Sequence, residues 1–242
     1  MERRRNPNIQ IRLEKVSFIN GDRKILKDIS IEIEENTTYL LVGKNGSGKS
    51  TLLKLLAGII EPSSGELYID GKKLESFWDL RRSVGIVFQN PQTQIIGATV
   101  EEDIAFGLEN LGIESEKIEK KVTEILKIVG MENLRLKDPI ELSGGLMQRL
   151  AIASILTLEP EVLLLDEPLS MLDKKSKMDI ANLLESFYGE KTIIIATHEF
   201  YHFKFADKVI FMDDGKASVY DFVKFFENLP RKFIVPDWVK PL

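Results

Sequence analysis

A glycine-rich loop that ends in a lysine and two hydroxyl residues carries the clearest chemical signal in this sequence. It follows the spacing G-x-x-x-x-G-K-[ST], and its members are Gly43, Asn45, Gly46, Ser47, Gly48, Lys49, Ser50 and Thr51. Glycines let successive backbone N–H groups turn toward phosphate oxygens, and the helix that follows adds its positive end. Lys49 supplies a cation, and the Ser50 hydroxyl is a ligand for Mg²⁺. The loop therefore predicts a nucleotide-binding site with a magnesium ion.

Two adjacent carboxylates form the second chemical signal. Asp166 and Glu167 follow the apolar run 162–165, at the end of a predicted strand, where ligands lie in open α/β sheets. Asp166 is predicted to hold Mg²⁺ through water, and Glu167 to polarise an attacking water molecule. An acidic strand end alone is common in α/β proteins. Paired with the phosphate loop, it indicates phosphoryl transfer, which needs both an anion cradle and a metal-binding carboxylate.

A helix start with a hydroxyl and two glycines forms the third signal. Ser143, Gly144 and Gly145 precede an apolar stretch with helical spacing. Small residues at a helix start leave N–H groups uncovered and aligned with the helix dipole, so a phosphate can rest there. Taken by itself, this pattern is more often an ordinary capped helix, because serine is a preferred N-cap.

The elements that must position these residues are visible in the spacing of apolar side chains. Residues 9–13 and 29–33 alternate between apolar and polar, which is typical of half-buried strands. Continuous apolar runs at 39–42, 84–88 and 192–196, like the run before Asp166, predict parallel strands covered on both faces. Asp-Gly pairs follow two further strand patterns and predict tight turns, at 70–71 and at 214–215.

The middle of the chain has helical rather than strand spacing. Thr99 and Glu102 form a capping-box pattern, and Ser115 and Ser143 precede two more helical patterns. The order is thus β-rich, then α-rich, then alternating. It predicts an α/β fold: a mostly parallel core with an antiparallel β subdomain and an inserted α-helical subdomain. We assign residues 1–88 and 157–222 to the core and residues 89–156 to the helical insertion.

Composition excludes several classes of protein. The 242-residue length fits one large domain or two joined lobes, and 43% hydrophobic residues suffice for a core. Without cysteine, disulfides, thiolate catalysis and Cys-ligated zinc are impossible. A net charge of −5 gives no reason to expect a nucleic-acid partner. No apolar run approaches the roughly 20 residues that cross a bilayer, and the basic start lacks the apolar stretch of a secretory signal. We therefore expect a cytoplasmic protein.

Further motifs carry a family resemblance that extends over about residues 9–222. Residues 142–145 resemble the signature motif of the ATP-binding cassette (ABC) superfamily, and Gln89 resembles its Q-loop glutamine. Residues 170–173 are similar to its D-loop, and His198 to its switch histidine. More narrowly, residues 88–110 resemble the ATPases of energy-coupling factor importers. This resemblance implies a P-loop NTPase (RecA-like) core.

The resemblance also implies a mechanism and partners. Two such subunits sandwich two ATP molecules, each bound between one chain's phosphate loop and the other's signature motif. The residues implied to bind phosphate and metal are Lys49, Ser50, Gln89 and Asp166. Glu167 would activate water, His198 would contact the γ-phosphate, and residues 143–145 would act on the partner's nucleotide. A transmembrane coupling subunit would contact residues 92–106, and a substrate-binding membrane subunit would complete the complex.

The function implied is ATP hydrolysis that powers uptake of a vitamin or a transition-metal ion, by a subunit at the cytoplasmic face of the membrane. Two alternatives remain open at this point. One is the nucleotide-binding subunit of another ABC importer, and the other is a regulatory ABC subunit with one degenerate composite site. A soluble ABC protein of DNA repair or translation is disfavoured, because the spacing from Gln89 to Leu142 leaves no room for a coiled-coil insertion.

Two positions depart from the family pattern. The signature motif ends in Leu146 where the family usually has glutamine, and Asn20 stands where it commonly has an aromatic residue that stacks on adenine. Phe18 lies two residues earlier and is one possible substitute. Because unequal sites suit unlike partners, these departures favour a heterodimer over a homodimer.

The tail, residues 223–242, is unusually apolar. Together with Phe222, its apolar residues are Phe225, Phe226, Leu229, Phe233, Ile234, Val235 and Trp238. Such a segment can join two subunits or fold back on its own core. We take a dimer contact as the expectation.

The departure at position 146 predicts the effect of one substitution. Leu146→Gln restores an amide at the signature helix and should raise ATP turnover at the partner's site, by up to about fivefold if one hydrogen bond is gained. Phosphate release from the assembled dimer measures it. Unchanged turnover would show that the leucine does not weaken the site.

Overall fold

The structure, a computed structural model, describes residues 9–227, and within them it forms two sheets with helices between and around them. The strands are β1 (Ile9–Asn20), β2 (Arg23–Glu34), β3 (Thr38–Gly43), β4 (Ser64–Ile69), β5 (Lys72–Lys73), β6 (Val84–Val87), β7 (Val162–Asp166), β8 (Thr192–Ala196), β9 (Lys208–Asp213) and β10 (Lys216–Asp221). The helices are α1 (Lys49–Leu56), α2 (Phe77–Ser83), α3 (Val100–Asn110), α4 (Ser115–Val129), α5 (Gly144–Leu156), α6 (Lys174–Glu185) and α7 (Phe222–Glu227).

The larger sheet has six strands in the order β10-β9-β3-β8-β7-β6. The pairs β3·β8, β3·β9, β6·β7 and β7·β8 are parallel, and every residue of β3, β7 and β8 is buried. The prediction of parallel central strands from continuous apolar runs is confirmed, because strands covered on both faces need apolar residues at every position. The carboxyl ends of β3, β7 and β8 meet at one edge of this sheet.

The smaller sheet is antiparallel, with the order β2-β1-β4-β5. The alternating patterns at 9–13 and 29–33 are its paired strands β1 and β2. Both Asp-Gly turns are confirmed: Asp70 and Gly71 have φ of 47° and 76°, and Asp214 and Gly215 have φ of 44° and 79°. Positive φ at both positions is what a two-residue hairpin turn of type I′ requires.

Helices α3, α4 and α5 lie between β6 and β7 in the chain and share one apolar core. Thr99 caps α3 as predicted by accepting from Glu102 N, but the Glu102 carboxylate accepts from Ala98 N, one residue further back than in a capping box. Ser143 caps α5 through Leu146 N. The helical pattern after Ser115 is confirmed as α4, in which Ser115 is the first helical residue and Glu114 is the N-cap, without a side-chain bond.

Buried Asp103 ties the start of the helical insertion together. Its carboxylate accepts from Ile96 N at 2.8 Å, from Gly97 N at 3.1 Å and from the Ser154 hydroxyl at 2.6 Å. Gly97 must be glycine for this approach, because a Cβ there would lie 2.3 Å from the backbone nitrogen of Asp103. One carboxylate thus joins the segment that follows β6 to both α3 and α5.

The described part of the tail folds back onto its own chain. Phe225 and Phe226 are buried in the core on one side of the larger sheet, and Phe226 packs 5.1 Å from the Phe200 ring. For these two residues the structure follows the fold-back alternative rather than the expected dimer contact, because they complete an apolar core already in a single chain. The other tail residues, from Leu229 to Trp238, lie outside the described residues, and their dimer contact stays a prediction.

Within residues 9–227, no helix is both long and apolar enough to span a bilayer.

The Asp103 contacts predict a large effect on stability. Asp103→Ala should lower the free energy of unfolding by about 1–3 kcal/mol, because two N–H groups and a hydroxyl, all in part-buried hydrogen bonds, lose their acceptor. Asp103→Asn keeps an acceptor oxygen and should cost clearly less. Urea unfolding measures both, with Glu109→Ala, an exposed acid on the same helix, as the control. Equal stability of Asp103→Ala and the control would contradict the assignment.

Candidate functional site

The phosphate loop joins β3 to α1 and is held by close backbone packing. A Cβ at Gly43 would lie 2.3 Å from the Met212 carbonyl oxygen, so the loop leaves β3 where no side chain fits. Gly46 and Gly48 have φ of 78° and 105°, in the left-handed region that favours glycine. The Ser47 carbonyl accepts from Gly215 N at 3.1 Å. The β9–β10 hairpin thus supports the loop from one side.

A cavity of about 830 Å³ opens around this loop. Its walls bring together predicted residues from the phosphate loop, from the end of β7 and from the segments that follow β6, β7 and β8: Asn45, Gly46, Gly48, Lys49, Ser50, Thr51, Gln89, Asp166, Glu167 and His198. The Ser47 hydroxyl is buried and lacks a hydrogen-bond partner among the described residues. The volume suits a nucleotide, and an unpartnered hydroxyl beside a glycine cradle fits a phosphate ligand.

Lys49 lies in the middle of the loop's curve. Its Nζ donates to the Gly43 carbonyl at 2.9 Å and to the Lys44 carbonyl at 3.3 Å. Burial lowers the pKa of Lys49, while the carboxylates of Glu167 and Asp166 oppose that shift. The ammonium is therefore desolvated and aimed into the cavity, which strengthens its attraction for a phosphate.

The two adjacent carboxylates stand on backbone of different conformation, and both line the cavity. Asp166 is the buried last residue of β7, whereas Glu167 has φ of 50° and turns away from the strand. That conformation costs about 1–3 kcal/mol in a residue other than glycine. Its N–H donates to the Ala196 carbonyl at 2.8 Å, which helps to hold the turn. Burial raises the pKa of Glu167, and the charges of His198 and Lys49 oppose this.

His198 follows β8 and contacts three residues of the cavity. Its Nε2 lies 2.9 Å from Asn45 Oδ1, 3.3 Å from Glu167 Oε1 and 3.4 Å from Lys49 Nζ. Its backbone N–H donates to the Glu167 carboxylate at 3.4 Å. The His198 ring therefore connects Asn45 of the phosphate loop to the Glu167 carboxylate, and its Nε2 faces the Lys49 ammonium.

Gln89 reaches the cavity from the segment after β6, and a second glutamine positions that segment. Gln94 accepts from Phe88 N at 2.7 Å and donates to the Ile86 carbonyl at 2.9 Å. The Gln94 amide therefore pairs with the end of β6 like an additional strand and closes the loop that contains Gln89. The sequence alone did not predict this role for Gln94, although the residue lies within the segment 88–110 that carries the narrower family resemblance.

The signature residues lie elsewhere in the fold. Within residues 9–227, none of Ser143, Gly144 and Gly145 lines the cavity around the phosphate loop. They pack beside the start of α6: a Cβ at Gly145 would lie 2.3 Å from Ser176 Oγ, and one at Gly144 would lie 3.6 Å from Leu172 Cδ2. Leu146 is half-buried and packs against the core of α3, α4 and α5. The structure thus does not bring these residues to the chain's own phosphate loop.

An ion pair that was not predicted supports the loop containing His198. Lys177 on α6 donates to both oxygens of Glu199 at 2.8 and 2.7 Å, and the Tyr201 hydroxyl donates to the same carboxylate at 2.9 Å. Burial opposes ionisation, yet the bonds from Lys177 and Tyr201 lower the pKa of Glu199. Because Asp173, the last residue of the segment that resembles the D-loop, is the N-cap of α6, the pair connects that segment to the residue after His198.

Comparison with known proteins identifies the family. The family model described as "ABC transporter" matches residues 26–170. The chain is 48% identical over 209 residues to the energy-coupling factor transporter ATP-binding protein EcfA1 of Thermotoga maritima, covering 86% of this chain and 80% of that one. It is 44% identical over 201 residues to the EcfA protein of Pediococcus pentosaceus, covering 81% and 72%.

Solved structures agree. The cbiO1 protein of Clostridium perfringens, part of the ABC transporter complex cbiONQ, superposes with a TM-score of 0.83 at 35% identity, covering 91% of this chain and 92% of that chain. The dimeric ATP-binding cassette MJ0796, bound to ADP and Pi, has a TM-score of 0.77 at 30% identity, covering 87% and 98%. The chain therefore belongs to the ABC transporter family, and within it to the energy-coupling factor transporter ATP-binding proteins. It is an ATPase.

The Lys177–Glu199 ion pair generates a prediction about turnover. Lys177→Met should lower kcat by about an order of magnitude with little change in the KM for ATP, because a displaced loop slows chemistry without removing nucleotide contacts. Steady-state phosphate release measures both constants. Lys175→Met, on the exposed side of the same turn, is the control. Partial rescue by Lys177→Glu with Glu199→Lys is expected. An unchanged kcat in Lys177→Met would show that the pair does not position the loop.

Proposed function

We propose that this chain binds ATP with Mg²⁺ in the cavity around the phosphate loop and hydrolyses it to power uptake of a vitamin or a transition-metal ion by an energy-coupling factor importer. The observation that carries the proposal is the convergence, in one cavity, of the loop cation Lys49 with Asp166, Glu167 and His198. These residues come from three neighbouring strand ends and supply an anion cradle, a metal ligand and a base. Phosphoryl transfer requires this combination.

Each group has a defined part in this reaction. The loop N–H groups and Lys49 bind the β- and γ-phosphates, and the Ser47 hydroxyl gains the partner that it lacks. Ser50, Gln89 and Asp166 offer the oxygen ligands that Mg²⁺ prefers, and they would hold it. When bound, the ion neutralises charge between the β- and γ-phosphates.

Glu167 and His198 act at the terminal phosphate. The raised pKa of Glu167 makes it a better base, able to accept a proton from the attacking water at a carboxylate oxygen. His198 Nε2 already faces Lys49, which binds the same phosphate, so an incoming γ-phosphate competes with Asn45 and Glu167 for this nitrogen. Nucleotide binding thus frees the Glu167 carboxylate for water.

The second half of each catalytic site is proposed to come from another subunit. Ser143, Gly144 and Gly145 lie away from the chain's own loop, at a helix start with uncovered N–H groups. We assign them to the nucleotide of a second ABC subunit, with a heterodimer favoured because of Leu146. Turnover then depends on subunit association.

The membrane partner is proposed to contact residues 92–106. Within this segment Ile96 and Phe106 are 61% and 43% exposed, which makes them candidates for contact with a transmembrane coupling subunit. Val100 is fully buried and instead packs inside the helical core. The Asp103 and Gln94 bonds fix this segment relative to Gln89, so that movement there reaches the nucleotide. In this proposal the ATPase chain itself binds peripherally at the cytoplasmic face of the membrane. A substrate-binding membrane subunit belongs to the same complex.

Replacing Glu167 tests the hydrolytic role. Glu167→Gln should leave ATP affinity nearly intact and lower turnover by about 10²–10⁴-fold, because the amide keeps the shape of the side chain but cannot accept a proton. Calorimetry measures binding, and phosphate release measures turnover. Glu185→Gln, an exposed acid on α6, is the control. Undiminished hydrolysis in Glu167→Gln would remove this residue from the mechanism.

A further inference from the structure

Two residues that line the nucleotide cavity from one strand are not among the residues predicted to bind phosphate or metal. Arg23 and Ile25 line the cavity from β2, in the smaller sheet, whereas the predicted phosphate and metal residues come from the larger sheet and the segments next to it. Alternate residues of a strand share a face, so both side chains point the same way and Lys24 points the other way. This pair forms a wall that the sequence analysis did not assign.

The strand order shows which end of the nucleotide meets this wall. Asp166 and His198 belong to β7 and to the segment after β8, on one side of β3, while β9 lies on the other side. The wall is attached on the β9 side: Lys27 N donates to the Gly215 carbonyl, and a Cβ at Gly48 would lie 3.4 Å from the Ile25 carbonyl oxygen. The terminal phosphate faces the carboxylates, so the base faces the wall.

The aromatic candidates for contact with the base are not placed for it. Phe18 is half-buried and packs against the core between the two sheets, so its ring is already engaged. Asn20 pairs with Arg23 across the β1–β2 turn and has no ring. Neither residue lines the cavity, as far as the described residues show.

Arg23 has the chemistry for this contact. It is exposed and makes no ion pair or side-chain hydrogen bond with another residue in the range 9–227. A guanidinium is planar and weakly hydrated, so it stacks on aromatic rings. We infer that Arg23 stacks on the adenine of bound ATP while Ile25 packs against its edge, replacing an aromatic side chain. This inference rests on the proposed function.

The experiment compares two ligands that differ in the presence of a base. Arg23→Ala should weaken ATP binding by about tenfold, within the range of base-stacking contributions, and leave the affinity for inorganic tripolyphosphate unchanged. Calorimetry with Mg²⁺ present measures both. Lys24→Ala, the adjacent cation that faces away and pairs with Asp28, should change neither.

Further variants separate stacking from charge. Arg23→Tyr should keep the affinity for ATP, because tyrosine also offers a planar group for stacking. Arg23→Lys should lose most of the affinity that stacking contributes, because it keeps the positive charge but has no planar group. Equal weakening of ATP and tripolyphosphate by Arg23→Ala would make Arg23 a phosphate ligand and overturn the inference, as would no weakening of either. Lys49→Ala should weaken the binding of both ATP and tripolyphosphate. If it did not, the proposed function would fail, whatever the result at Arg23.

Discussion

The separation of two glycine-flanked helix starts, at Lys49 and at Gly144, is the constraint on which the proposed mechanism depends. The helix start at Lys49 opens into the cavity with Asp166 and Glu167, whereas the one at Gly144 is packed beside Leu172 and Ser176. The Cβ position at Gly145 is filled by Ser176 of α6, and a Cβ at Gly144 would contact Leu172 just before that helix, so packing holds this helix start in place. Under the proposed function, a single subunit would therefore supply complementary halves of two sites rather than one complete site.

Polar contacts, in addition to apolar packing, hold the segments that carry the predicted site residues. Gln94 and Asp103 hold the segment after β6, which carries Gln89, by side-chain bonds to backbone N–H groups. Lys177 and Glu199 connect the helix after the D-loop to the residue beside His198. Buried or half-buried charge pairs of this kind are strongly directional, so a shift of α6 changes the position of the histidine. Under the proposed function, this connection would couple association with a second subunit to the state of the nucleotide.

Local sequence was sufficient for the features that depend on local geometry. The phosphate loop was predictable because its strand, glycines and helix are consecutive, and Asp166 with Glu167 because strand ends of a parallel sheet share an edge. The wall formed by Arg23 and Ile25 was not predictable, because it depends on how the two sheets pack against each other, which the local pattern of β2 does not show. The same holds for Lys177 and Glu199, and for Phe225 and Phe226, whose apolar character fitted a dimer contact as well as the chain's own core.

The most direct test of a catalytic site shared between subunits is the rate of ATP hydrolysis per chain over a dilution series, with the fraction of dimer followed in parallel by sedimentation. The account predicts that the rate per chain falls with the dimer fraction and approaches zero where only monomer remains. A rate that stays constant down to concentrations at which sedimentation detects only monomer would contradict it.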